Sequence, residues 1–447
     1  MVEMDPKVKY LLSLDAVRDR AKLVGEAAAA GKLSHFDVRE EKLGEVADFV
    51  IGVIKRDFGP NKYSSIPPHG RWQHFETGGI PRINDLLHKW QHQGIDPNEV
   101  CRRLIDLFFV SVLLDAGAGD VWKYREEVKG KEERVYERSE GIAVASFYMF
   151  VEGSFVAGEG GAGEDGERPV VDGKGLASLK TETLAKYLQI TETNPILGLE
   201  SRAALLRGLG TSLLSQPEVF GAEGRPGNVV DYLLKTTTTP QTLSVRTFWD
   251  ILQTLLIPVW PKDRTTINAH AIGDAWPLST LKTLSPSSTD PSDHIQPFHK
   301  LTQWLAYSLM VPFQRILNLS WSDTDALTAL PEYRNGGLFV DLGVLELRKE
   351  ALERGVKAAE AKGSGATGLP VFAAGDDVVV EWRALTLVLV DRVYGIVGER
   401  LKAEGVVLSL AQLLEAGTWK AGREIAGKKR PETKSSPIII ESDGTVF

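Results

Sequence analysis

The chain has 447 residues, 43% of them hydrophobic, enough for two or three packed subdomains around a substantial core. Its formal net charge of −8 gives no general attraction for a phosphate backbone and argues against nucleic acid as a partner. Its single cysteine, Cys101, excludes an intrachain disulfide, and the missing signal-peptide core and membrane-length apolar run point to a cytoplasmic protein with no membrane partner.

Amphipathic spacing predicts helices over most of the chain. Val8 to Ala30 stops at Gly31, and Glu41 to Arg56 stops near Gly59-Pro60. Val100 to Leu114 is strongly apolar, and Ala143 to Phe150 reads as buried. Leu176 to Leu188, Leu199 to Leu209 and Leu243 to Leu256 follow, then a helix from near Gln296. Val344 to Ala361, Val378 to Lys402 and Leu408 to Ile425 close the series. Strand signals are confined to Pro437–Ile440, with Val170-Val171 and Phe339-Val340 as short additions. The expected class is mainly α, with a small β element that includes the C-terminal tail. A glycine-rich stretch, 158–166, reads as an insertion loop, and 362–368 as a flexible connection. The expected organisation is a helical N-terminal and central region, 1–285, and a helical C-terminal region, 286–447.

Chemistry-bearing residues concentrate in a few places. His69-Gly70-Arg71-Trp72-Gln73-His74-Phe75 offers two imidazoles, a guanidinium and two aromatics, with Arg82 close behind. Aromatics stack on planar groups and an arginine fork holds phosphate or carbonyl oxygens. The same stretch admits a docked structural turn, or a metal site through His69 and His74. Their spacing of five does not match a helical histidine pair, so no metal is assigned. Asp115 ends an apolar helix, where a carboxylate is electrostatically unfavourable; it is either functional or the cap of the following turn. Cys101 precedes an apolar run and reads as structural.

In the C-terminal region, Leu301, Trp304, Leu305 and Leu309 make an apolar stripe. Lys300, Gln303 and Tyr307 share another face of the same helix. Leu330-Pro331-Glu332-Tyr333-Arg334-Asn335-Gly336-Gly337 then packs a carboxylate, a phenol, a guanidinium and an amide into four positions. The two glycines and Pro331 suggest a turn that holds these groups over a small polar ligand. Asp341 supplies a second acid. Serine-hydrolase elbows, P-loops and zincin motifs do not occur.

These segments resemble the uracil-catabolism family of fungi and bacteria, long described as a domain of unknown function. The resemblance rests on His299-Lys300-Leu301-x-Gln303-Trp304-Leu305-x-Tyr307-Ser308-Leu309 and on Leu330 to Gly337. It extends through Ile66 to Phe75, Leu114 to Gly119, Arg138 to Gly141, Asn194-Pro195, Gly273-Asp274-x-Trp276 and Ser442 to Phe447. Gly70 departs from the serine expected there. The family resemblance implies a role in uracil degradation beside a cyclohydrolase-like pathway partner. A shorter pattern, Lys300 with Gln303 and then Glu332-Tyr333-Arg334, resembles the queuosine-nucleotide salvage glycosylases, with Glu in place of Asp. It implies a helical glycosylase-like architecture.

Together the resemblances imply hydrolysis of the N-glycosidic bond of a ring-opened uracil nucleotide or nucleoside, without a cofactor. Glu332 and Lys300 would be catalytic, with Asp341 as the alternative acid. His69, Arg71, Trp72, His74, Phe75, Arg82, Asp115, His299, Gln303, Trp304, Tyr307, Tyr333, Arg334 and Asn335 would contact this small-molecule substrate. The other reading is a non-catalytic protein that binds or scaffolds a pathway intermediate.

Overall fold

A computed structural model of the chain describes residues 4–115, 117, 121–127, 132–157, 169–362 and 368–441. The glycine-rich stretch 158–166, most of 362–368 and the terminal 442–447 motif lie outside the described residues. The fold is mainly α, and among the described residues the strands are two to four residues long and joined only in pairs. No described helix is long and apolar enough to cross a membrane.

The described residues form two compact units, and the division does not follow one cut in the sequence. The first unit draws on Met1–His69, Asp263–Gln303 and Asp325–Glu441; the second draws on Gly70–Lys262 and Trp304–Thr324. The partition falls inside the helix Lys300–Leu317, between Gln303 and Trp304.

In the first unit the helix Asp377–Lys402 is the central element. It packs on Leu14–Ala29, Leu43–Phe58 and Tyr333–Asp341. Its first half is buried almost all round, which explains the run Val378-Val379-Val380. Two charges interrupt that run, and each has a structural use. The Glu381 carboxylate accepts the backbone N–H groups of Ser34, His35 and Phe36 at 2.8, 2.7 and 3.1 Å. This fixes the approach to the strand Phe36–Val38, which pairs antiparallel with Leu345–Leu347. Arg383 forms a buried ion pair with Asp274. The tail strand expected near Pro437 is Ile439–Glu441, parallel to Val371–Ala373 with Val371 opposite Ile439.

In the second unit, Pro97–Leu113 and Arg138–Val151 pack together, and Leu199–Leu214 lies against Gly173–Ala177 and Val245–Leu256. A hairpin joins Lys123–Glu126 to Arg134–Glu137, and Thr242–Ser244 runs parallel to Ser320–Ser322.

Several expected elements differ from those observed. Val8 to Ala30 is two helices, Pro6–Leu11 and Leu14–Ala29, because the Ser13 hydroxyl caps the second by accepting from the Ala16 N–H. Leu176 to Leu188 likewise divides into Gly173–Ala177 and Thr181–Tyr187. Val344 to Ala361 begins as the strand Leu345–Leu347, and its helix starts only at Lys349. The helix expected from near Gln296 starts at Lys300, because Ile295–Pro297 is a strand and His299 has φ 46°. Phe339-Val340 lies in a helix, and Val170-Val171 is in no strand.

The turn expected at Gly336-Gly337 is also helix, Tyr333–Asp341. Here the glycines serve close packing. A Cβ on Gly336 would lie 2.8 Å from both the Trp382 ring and the Thr386 hydroxyl. A later helix, Trp419–Lys429, meets the same element through Gly422, where a Cβ would overlap the Arg334 carbonyl. Gly422→Ala should gain at most about 1 kcal/mol in helix propensity. Overpacking against a backbone atom should cost about 1–3 kcal/mol. A net loss of stability is therefore expected, read as a lower urea midpoint at unchanged slope; a raised midpoint would contradict this packing.

Candidate functional site

Glu332 is the N-cap of the helix Tyr333–Asp341. Its two carboxylate oxygens accept the backbone N–H groups of Asn335 and Arg334 at 2.6 and 2.7 Å. A carboxylate has about four lone-pair sites, so capping uses half of its accepting capacity. Burial pushes the Glu332 pKa above the ordinary carboxylate value. The two amides, the Lys300 ammonium and the Arg334 guanidinium pull the other way. The charge of Lys300 thus favours the ionised form of Glu332.

The segment before Glu332 is pinned from three sides. Gln303 donates to the Phe298 carbonyl at 3.2 Å and the Thr328 hydroxyl at 2.8 Å, and accepts from the Thr328 N–H at 2.9 Å. Asn335 Nδ2 donates to the Leu330 carbonyl at 3.0 Å. Arg383 Nε donates to the Pro331 carbonyl at 3.3 Å.

Arg383 also forms a bidentate ion pair with Asp274, at 2.8 and 2.7 Å, with both side chains almost wholly buried. Asp274 accepts from the Lys300 backbone N–H at 3.0 Å and from the Trp276 indole at 2.8 Å. Burial alone would raise the Asp274 pKa, but the charge and hydrogen bonds of Arg383 outweigh it and hold the group far below the usual carboxylate range. One buried pair thus clamps the start of the Lys300 helix to the residue preceding Glu332. The guanidinium lies 3.9 Å over the Phe298 ring, which completes its enclosure.

The other expected site residues of this unit have defined places. Burial lowers the His299 pKa, and its Nε2–H donates to the Leu11 carbonyl at 2.8 Å, so this imidazole is a neutral structural link. Arg334 stacks over Tyr333 at 4.8 Å and donates to the Lys434 carbonyl at 3.0 Å. Asp341 lies at the other end of the Glu332 helix, about 13 Å away at the usual helical rise. Arg430 holds it at 2.8 and 2.5 Å. His69 Nδ1 is 2.7 Å from the Glu415 carboxylate. Asn335 Oδ1 and Thr418 Oγ1 are buried without a hydrogen-bond partner among the described residues.

The second unit holds the remaining candidates. Arg71 is completely buried, and its guanidinium donates to Ser111, His74, Asp115 and the Ser139 carbonyl. Asp115 is thus the ion-pair partner of Arg71 at 2.8 Å. Arg82 donates to both oxygens of Glu126 and to the Phe75 and Thr77 carbonyls. Both forks are occupied by protein acceptors, which leaves little capacity for a phosphate. Trp72 meets the edge of Phe108 at 5.9 Å and lies under Arg315 at 4.4 Å. Phe75 packs on Phe108 and Phe147. The His74 and Trp304 rings are 5.7 Å apart. Trp304 and Tyr307 are buried on the continuing helix. Cys101 is buried as expected, and desolvation raises its thiol pKa. Among the described residues, no three of His, Cys, Asp and Glu gather closely enough to hold a metal ion.

Asp274, Arg383, Glu415 and Thr418 were not among the expected site residues. The signals present were the Gly273-Asp274-x-Trp276 motif and the opposite charges Glu381 and Arg383 inside an apolar run.

A family described as protein of unknown function (DUF1688) matches residues 10–447. The chain belongs to the DUF1688 family. It is 49% identical over 441 residues to "Protein urg3" of Schizosaccharomyces pombe, covering 98% of this chain and 99% of that one. It is 42% identical over 450 aligned positions to "Uracil catabolism protein 4" of Lachancea kluyveri, covering 99% and 100%. The resemblance read from the Lys300 and Glu332 motifs thus holds along nearly the whole length. This DUF1688 chain shares its family with a protein named for uracil catabolism.

The raised pKa of Glu332 has a consequence for this DUF1688 fold. The native state binds the Glu332 proton more tightly than the unfolded state, so the ionised group opposes folding above the unfolded pKa of about 4.3. Glu332→Gln removes that opposition. Its stability relative to wild type should therefore improve between about pH 4 and pH 7. Urea denaturation at the two pH values measures this, and a constant difference would contradict it.

Proposed function

We propose that this chain acts in uracil catabolism as an N-glycosidase. Its substrate would be a ring-opened uracil nucleoside or nucleotide, ribosylurea or its phosphate, and its products urea and ribose or ribose phosphate. The observation that carries this reading is Glu332: a largely enclosed carboxylate beside the charge of Lys300, on a segment immobilised by Gln303, Asn335 and the Asp274–Arg383 pair. Cleavage of an N-glycosidic bond develops positive charge at the anomeric carbon. A fixed carboxylate stabilises that charge and takes a proton from the attacking water. Lys300 favours the ionised carboxylate against the burial that opposes it. Asp341 takes no part, since Arg430 holds it at the far end of the helix.

The substrate must come from an enzyme that opens the pyrimidine ring by hydrolysis, which is the place of the cyclohydrolase-like partner. The second reading, a protein that binds the intermediate without converting it, is favoured by the capping bonds of Glu332, which give the carboxylate a structural use. A single-turnover experiment separates the two. With protein in excess over ribosylurea or its 5′-phosphate, quenching should return urea and the free sugar. Recovery of the intact compound would establish the binding reading instead.

A further inference from the structure

The proposed reaction, on which the following rests, needs a second group that Glu332 does not supply. A urea nitrogen leaves poorly as an anion, so a proton must reach it as the C1′–N bond breaks. His35, His69 and His299 of the first unit differ in their suitability. His299 is neutral and its Nε2 is engaged by the Leu11 carbonyl, and in His35 it is likewise Nε2 that meets a carboxylate, that of Asp377, at 2.7 Å. His69 is differently placed. Its Nδ1 meets Glu415 at 2.7 Å, and both side chains are buried. The chain on either side of this pair is tied together. The His69 N–H donates to the Ala411 carbonyl at 2.9 Å, and Gln412 Nε2 donates to the Ile66 carbonyl at 2.9 Å.

The local backbone supports a functional use. Glu415 lies in a π-helical turn, Leu414–Thr418, and such turns recur at functional sites. This turn packs against the helix capped by Glu332, and the helix that continues from it brings Gly422 onto the Arg334 carbonyl. Thr418 on the turn and Asn335 on the Glu332 helix each hold a buried oxygen without a partner among the described residues. A buried polar atom without a partner is costly, and these two, on elements that pack together, can accept hydrogen bonds from a polar ligand.

We propose that His69, positioned by Glu415, delivers the proton to the departing urea nitrogen. The Glu415 carboxylate holds the Nδ1 proton and fixes the ring, and the transferred proton leaves from Nε2. The electron pair of the C1′–N bond passes to nitrogen, which takes that proton and departs as urea. Water forms the new C1′–O bond and gives a proton to Glu332. Exchange with solvent then returns Glu332 and His69 to their starting forms, and one water is consumed.

The test uses the full chain, ribosylurea and an aryl riboside, p-nitrophenyl riboside, whose phenolate leaves without protonation. His69→Asn should lower kcat for ribosylurea by at least about 100-fold with KM near the wild-type value. Glu415→Gln should lower it less, in the same direction. Both losses should shrink at least about tenfold on the aryl riboside. Equal losses on the two substrates, or a change confined to KM, would overturn the role. If His69→Asn does not fold, the two-substrate comparison on Glu415→Gln decides. If wild type cleaves only ribosylurea, the split between kcat and KM decides. Wild-type chain that releases no urea from ribosylurea or its 5′-phosphate overturns the reaction and this role with it. Urea release that is unchanged in His69→Asn and Glu415→Gln overturns this role alone.

Discussion

Glu332→Gln should lower turnover of ribosylurea by at least roughly two orders of magnitude while the protein remains folded. The substitution keeps the volume and one acceptor for the helix cap, and removes the negative charge. The reaction needs that charge twice, once against the developing positive charge on the sugar and once to take a proton from water. The loss should fall on kcat and kcat/KM together, as it does when an interaction is made chiefly in the transition state. A variant with wild-type kcat would remove this carboxylate from the chemistry. The predicted stability gain between about pH 4 and pH 7 is the companion observation, because a group placed for catalysis against its own burial should oppose folding when ionised.

Asp274→Asn should have the largest effect on stability. Arg383 would keep its charge in a buried site, with one of its two charged acceptors replaced by a neutral carbonyl oxygen and the other by an amide donor. Breaking one side of a buried pair typically costs about 3–5 kcal/mol, more than a surface pair could contribute. The sign of the pH dependence follows from the depressed Asp274 pKa. The pair's contribution is fully present above the unfolded pKa of about 3.9 and is lost as the pH falls toward the native value. Urea midpoints should therefore separate wild type from Asp274→Asn most at neutral pH and converge in acid. A difference below about 1 kcal/mol at pH 7 would mean that the pair does not clamp the two helix starts.

The helical class was legible because long apolar stripes at helical spacing survive in the packed units, as in Val378 to Lys402 and Val100 to Leu114. The start of the Tyr333 helix was not. Gly336-Gly337 signals a turn in local terms, and only the neighbouring Trp382 and Pro437 make small residues necessary inside a helix. Lys300 and Glu332 were legible as motif residues, and they stand at the starts of two helices. The clamp behind them was not. Asp274 and Arg383 are 109 positions apart, and periodicity carries no information about such a pairing. Arg71 and Arg82 show the converse. Their residue types suggested ligand forks, yet Ser111, Ser139 and Glu126, supplied by other parts of the chain, occupy them.

Steady-state turnover, with ribosylurea or its 5′-phosphate in large excess over the purified wild-type chain, separates an N-glycosidase from a binding protein. Many catalytic cycles per chain are expected, with one urea and one ribose or ribose phosphate formed for each substrate consumed. Substrate that binds and is recovered unchanged, with no urea released, would contradict the N-glycosidase reading.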